Sequence, residues 1–155
     1  MLRRGDPDFS RTVVIDAPPE RVWRALTDPA ELKQWMADPK VGVEVSTTWE
    51  VGSPIRVTGF HVTRFVNSGV VEHFEPPRRL RYTHLSSISK LADKPENHAV
   101  FEFRLEAAGP QTTLTVTVST CATPSIFKHL EFYWNGTTGV LKRFIETGSA
   151  RLNLT

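Results

Sequence analysis

The chain has 155 residues, a formal net charge of +2 and one cysteine, Cys121. That length suits one domain around one core, the small charge demands neither a nucleic acid nor an anionic membrane as partner, and a lone cysteine excludes an internal disulfide. No apolar run approaches the roughly twenty residues that span a bilayer, and MLRRGDPDFS offers no signal-like apolar stretch, so a cytoplasmic protein without integral membrane association is expected.

Residues 1–8 read as a flexible arm, 9–149 as one domain and 150–155 as a tail. From Phe9 to Asp16, the residues Phe9, Val13 and Ile15 share one face at the two-residue period of a strand. Ala17-Pro18-Pro19 ends that strand and opens a helix over Glu20 to Thr27, with Val22, Trp23 and Leu26 on one side. Asp28-Pro29-Ala30-Glu31 reads as an N-cap, a first-turn proline and a capping-box glutamate, which predicts a second short helix to about Trp35.

β-Branched and aromatic runs divided by turn residues then predict an antiparallel meander. Its strands are expected at Val41–Trp49, Pro54–Thr63, Arg64–Phe74, Leu80–Ser86, Ala99–Ala107 and Thr112–Cys121. Asn67-Ser68-Gly69 and Ala108-Gly109-Pro110 read as turns, and Pro76-Pro77 as a break between strands. Ser87 to Asn97 is expected to be an exposed loop long enough to cover something. Thr123-Pro124 caps a long closing helix, whose stripe Ile126, Leu130, Tyr133, Trp134, Thr137, Leu141 and Phe144 runs to Gly148. Gly136 and Gly139 mark a close approach to a neighbour, a kink or a break.

Strand, two short helices, meander and long terminal helix in this order resemble the SRPBCC superfamily, also called START-like or helix-grip. TVVIDAPPERVWRALTDPAELKQW is similar to the opening of its chaperone-ATPase-activator (Aha-type) branch, GVVEHFEPPRRLRYTH to the central hairpin, and YWNGTTGVLKRFIETG to the closing helix. The resemblance covers nearly the whole chain. It implies an α+β fold in which a curved antiparallel sheet of about seven strands is closed by the C-terminal helix over its concave face. It also implies diverse ligands, because the shared residues are chiefly structural.

With the helix over the concave face, Phe101, Phe103, Leu105, Leu114, Val116 and Val118 point inward, as do Leu80, Tyr82 and His84. In the strand before, Val71 with His73 competes with Val70, Glu72 and Phe74 for the inner face; the family favours Val71 and His73. The candidate ligand-binding residues are therefore Trp35, Trp49, His73, Tyr82, His84, Phe101, Phe103, Ile126, Leu130, Tyr133, Trp134 and Thr137. Apolar walls with sparse polar tips suit a small hydrophobic molecule, although any one aromatic is ordinary core material.

Catalytic signals are weak. His61, His73, His84, His98 and His129 have no metal-ligand spacing, Cys121 has no activating neighbour in sequence, and no catalytic pair, phosphate loop, metal or cofactor is assigned. Arg78, Arg79 and Arg81 read as a solvated basic turn rather than a nucleic-acid contact. Three functions compete: a noncatalytic carrier of a lipid, polyketide or aromatic metabolite, a cyclase or dehydratase using the same cavity, and a chaperone-interacting stress module. Binding leads. Chaperone contact is least favoured because the extra N-terminal domain of the eukaryotic activators is not seen, and a homodimer through strand edges or helix faces is left open.

Overall fold

The computed structural model describes residues 7–150. Its elements are β1 (Phe9–Ile15), α1 (Pro19–Thr27), α2 (Pro29–Trp35), β2 (Glu44–Thr47), β3 (Pro54–His61), β4 (Thr63–Glu75), β5 (Arg79–Ser86), β6 (Ala99–Ala108), β7 (Gln111–Ser119) and α3 (Pro124–Thr147). The strands form one antiparallel seven-stranded sheet in the order β1-β7-β6-β5-β4-β3-β2. This is the α+β helix-grip architecture: β1 is drawn to the far side of β7, and α3 covers the sheet.

The strand alternation places the core. Phe101, Phe103, Leu105, Leu114, Val116 and Val118 are buried on one face, and Leu130, Trp134, Leu141 and Phe144 of α3 are buried against them. A fully buried side chain of this kind contributes about 1.5–3 kcal/mol. Thr123 caps α3 by accepting from the Ile126 N–H at 3.1 Å, and Gly148 ends it in a left-handed conformation with φ 83°.

Several expectations change. Asp28 does cap α2, accepting from Ala30 N–H at 2.9 Å, but Glu31 does not reach back as a capping box. Its two carboxylate oxygens are taken by Arg21 and Arg24, each at 2.7 Å, because charge-assisted bonds outcompete a neutral amide. The strand expected over Val41–Trp49 shrinks to Glu44–Thr47, preceded by a 3₁₀ turn at Pro39–Val41 and followed by Trp49 with φ 62°. Cys121 lies beyond β7, whose last residue is Ser119. Asp8 belongs to the sheet edge rather than to a loose arm: its N–H donates to Val118 O and its carboxylate accepts from Cys121 N–H. The rest of the expected arm, residues 1–6, and the tail after Ala150 lie outside the described residues.

Asn67-Ser68-Gly69 is not a turn but part of β4. Glycine is needed there for close approach, since a Cβ on Gly69 would lie 1.8 Å from the Thr83 carbonyl oxygen of β5. Gly136 and Gly139 do the reverse: α3 runs unbroken through both, and a Cβ at either meets nothing within 4 Å. They neither admit a neighbour nor break the helix.

The free edge of β1 is closed by α3. Lys142 Nζ donates to Val14 O at 2.6 Å, Asp16 N–H donates to Glu146 at 2.7 Å, and the Arg11 guanidinium donates to the Asn135 side-chain oxygen. Lys142 and Glu146 thereby occupy backbone groups that an added strand would use.

Candidate functional site

Between sheet and α3 lies an aromatic cluster. Trp134, 1 % exposed, meets Phe101 and Phe103 edge-on with centroids 5.6 Å away and Tyr133 at 5.0 Å, while Trp35 lies 6.4 Å off. Tyr82 stacks on Phe103 at 5.8 Å and approaches Phe101 at 5.7 Å. At these separations the rings pack against one another rather than around a void.

Local hydrogen bonds hold the cluster. Trp35 Nε1 donates to Ala25 O, Trp49 Nε1 to Thr27 O, and Tyr133 OH to Met36 O, at 2.8, 2.8 and 2.7 Å. The Trp35 bond thus locks α2 to α1, and Trp49 and Tyr133 pin that corner to the segment after β2 and to α3. Trp134 Nε1 is buried without a partner among the described residues. Burial raises the Tyr82 phenol, with Tyr133 nearby adding to it, and burial likewise raises Tyr133 against the opposing bond from Thr137. Both hydroxyls therefore stay protonated at neutral pH.

Open space survives at one end, in a cleft of about 300 Å³. Its apolar wall is Leu85, Ile88, Ile126 and Leu130, and its polar groups are His84, His129, Ser86, Ser89, Asn97 and Ser125. The cleft lies where β5 ends, beneath the first two turns of α3 and beside the loop after β5. Three of the expected ligand residues line it: His84, Ile126 and Leu130. Trp35, Trp49, Tyr82, Phe101, Phe103, Tyr133, Trp134 and Thr137 belong instead to the packed interior or its border.

His84 stacks on Phe101 at 4.7 Å. Burial pulls its pKa from 6.5 down to about 4, with His129 and His98 adding to the shift. A neutral imidazole thus faces the cleft, able to donate from one ring nitrogen and accept at the other.

His73 does not face the interior. The β4–β5 register shifts between Val71 and His73: Val71 pairs with Tyr82, His73 with Arg81 and Phe74 with Leu80. The bulge turns His73 outward, where it is 36 % exposed and its Nε2 lies 3.1 Å from Glu75. Phe74 takes the inner position, 5.3 Å from the ring of Trp23 and 5.7 Å from that of Trp49. The two histidines expected to share a cavity are on opposite faces.

A second, wider groove of about 1050 Å³ lies on the outer face of the sheet, beside Val70, Thr83, His98 and Val100. His98 is buried there, its two ring nitrogens 3.1 Å from Thr83 Oγ1 and 2.7 Å from Asp93. Thr83 Oγ1 also accepts from Val70 N–H at 2.9 Å, so one hydroxyl joins β4 to His98 across β5. This network ties the connecting loop to the sheet. Local sequence gives no cue to it, because its members are 5 and 15 residues apart along the chain.

The remaining reactive groups are held inert or neutralised. Burial and the Asp8 carboxylate push the Cys121 thiol up to about 12, leaving it a weak nucleophile. Arg79 binds Glu102 at 3.1 Å and Arg81 binds Glu72 at 3.0 Å, so the basic run is balanced by acids on adjacent strands.

Residues 16–146 match the family model described as Activator of Hsp90 ATPase homolog 1-like protein. The chain belongs to this family. Among solved structures, the AHSA1-like chain resembles ChR145 from Cytophaga hutchinsonii, with a TM-score of 0.72 and 29% identity over 92% of this chain and 97% of that one. DynU16, a protein of the dynemicin biosynthetic locus, matches with a TM-score of 0.70 and 27% identity over 92% of this chain and 49% of that one. This chain thus spans about half the length of DynU16. The Aha1 dimer from Colwellia psychrerythraea has a TM-score of 0.71 at 24% identity over 90% and 96% of the two chains, a likeness of fold. None of the curated proteins matches the chain significantly. No described helix is long and apolar enough to cross a membrane, and no group of His, Cys, Asp and Glu suited to a metal ion occurs among the described residues.

Proposed function

We propose that this AHSA1-like protein is a noncatalytic, cytoplasmic binding protein for a small hydrophobic molecule, held in the cleft between the end of β5 and the first turns of α3. The observation that carries this reading is the cleft's composition: four aliphatic side chains together with a neutral His84 and a few hydroxyls. Apolar walls supply affinity and a few polar tips fix orientation. A volume of about 300 Å³ is at the small end of ligand sites and suits a compact aromatic or a short acyl chain. The resemblance to DynU16, a protein of the dynemicin biosynthetic locus, is consistent with small-molecule binding. Binding is favoured over turnover because Tyr82 and Tyr133 are held protonated inside the packed cluster, and only His84 of the expected polar tips reaches the open space.

Native mass spectrometry of protein purified without detergent tests this. A retained molecule is expected at one per chain, and Ile126→Trp, which fills the cleft from its wall, should abolish retention while leaving the circular dichroism unchanged. An empty wild-type protein that also fails to take up 1-naphthol in a fluorescence titration would overturn the reading.

A further inference from the structure

All seven strands are antiparallel, so the β3–β4 hairpin, the loop after β5, the start of β6 and the start of α3 meet at one end of the sheet, the end that carries the cleft. The hairpin overhangs that end. Pairing between β4 and β5 begins at Asn67 with Ser86, whereas β3 and β4 stay paired out to His61 with Thr63. The four residues Thr63 to Val66 therefore project past β5, by about 13 Å at the rise of a strand.

The tip carries apolar side chains into solvent: Phe60 is 59 % exposed and Val62 89 % exposed. Val62 also has φ 64°, a left-handed conformation that β-branched residues strongly disfavour and that glycine or asparagine would adopt at little cost. A costly residue at a turn, with its side chain in water, signals a use for that side chain. Ile88, 55 % exposed, continues the apolar surface at the cleft itself.

Charge supplies the second half of the pattern. No acidic residue occurs between Val51 and Val71. Arg64 on the hairpin, Lys90 on the loop and Lys128 on α3 are exposed and have no ion-pair partner among the described residues. On the same loop Asp93 is engaged by His98 at 2.7 Å, which leaves Glu96 as the loop's unpaired carboxylate. A protruding apolar tip with unpaired cations at the same end of the molecule is the complement of an anionic lipid surface: the tip enters the acyl boundary while the cations meet headgroup phosphates.

We infer that this end of the molecule docks reversibly on anionic bilayers through Phe60, Val62 and Ile88, with Arg64, Lys90 and Lys128 on the headgroups, so that the cleft opens toward the membrane. The docking rests on the proposed ligand reading only for its purpose, uptake or delivery of the bound molecule at the lipid surface.

Vesicle flotation of the full chain tests it, using phosphatidylcholine alone or with about one third phosphatidylglycerol, at about 0.05 M and about 0.5 M salt. The protein should float with the anionic vesicles at low salt, about ten-fold less with neutral vesicles, and be released at high salt. The double variant Phe60→Ser, Val62→Ser should lose about ten-fold in partitioning, and Arg64→Glu about five-fold or more, with unchanged circular dichroism since all three side chains are exposed. Val51→Ser serves as control: Val51 is 65 % exposed before the start of β3, at the opposite end of the sheet, and should not matter. Absence of flotation, equal binding to neutral vesicles, variants that float like wild type, or equal loss in Val51→Ser each overturn the inference. So does a soluble protein that occupies this end while vesicles do not. Vesicle binding is scored without reference to a retained molecule, so an empty cleft in mass spectrometry defeats the ligand reading alone.

Discussion

His84 places a titratable ring where water is scarce, and the cost falls on the charged form. Above about pH 6.5 the ring is neutral in folded and unfolded chains alike and adds no pH dependence. Below that, the unfolded chain takes up a proton that the folded ring, with its pKa at about 4, refuses, so stability is lost as pH falls from about 6.5 to about 4. His84→Gln should therefore narrow the gap between urea midpoints measured at pH 5 and pH 7.5. An undiminished gap would assign the acid loss to other groups. Gly69 is the other residue whose surroundings dictate its identity. Gly69→Ala drives a methyl into the Thr83 carbonyl and should cost about 3 kcal/mol in chemical denaturation, at the upper end of overpacking.

At the scale of elements, α3 and its cap carry three substitutions, two expected to stabilise and one to destabilise. Gly136→Ala and Gly139→Ala each add a methyl into open space within a continuous helix and should stabilise by about 0.5–1 kcal/mol, read as raised urea midpoints. Thr123→Ala removes the bond to Ile126 N–H and should cost about 1 kcal/mol in the same measurement. A loss of stability at either glycine would mean that the outer face of α3 is covered by something, since among the described residues nothing opposes the methyl. β4 teaches a different lesson. Its alternation is readable on either side of the bulge, yet the extra residue at Glu72 and His73 reverses the phase between Val71 and Phe74. A period-two pattern carries no mark of such an insertion, which is why His73 and Phe74 exchange the sides expected of them.

For the molecule as a whole, the closing helix and the sheet enclose less free space than the aromatic stripe implies. Of the expected ligand residues, His84, Ile126 and Leu130 border the cleft, while Tyr82, Phe101, Phe103 and Trp134 spend their surface on one another. Filling the cleft with Ile126→Trp should remove retained ligand yet spare vesicle flotation, whereas Phe60→Ser with Val62→Ser should do the opposite. Loss of both properties in both proteins would indicate a damaged fold rather than separate surfaces.

The order and kind of the elements, the capping residues Asp28 and Thr123, and the inward faces of β5, β6 and β7 were determined by the sequence itself. Each depends on periodicity or on hydrogen bonds between residues a few positions apart. The tertiary structure alone decided that Glu31 serves Arg21 and Arg24, that His73 turns outward, that His98 bridges Thr83 and Asp93, and that the open volume survives at the end of β5. These outcomes come from competition for volume and hydrogen-bond partners between segments distant along the chain. No local pattern records how that competition ends.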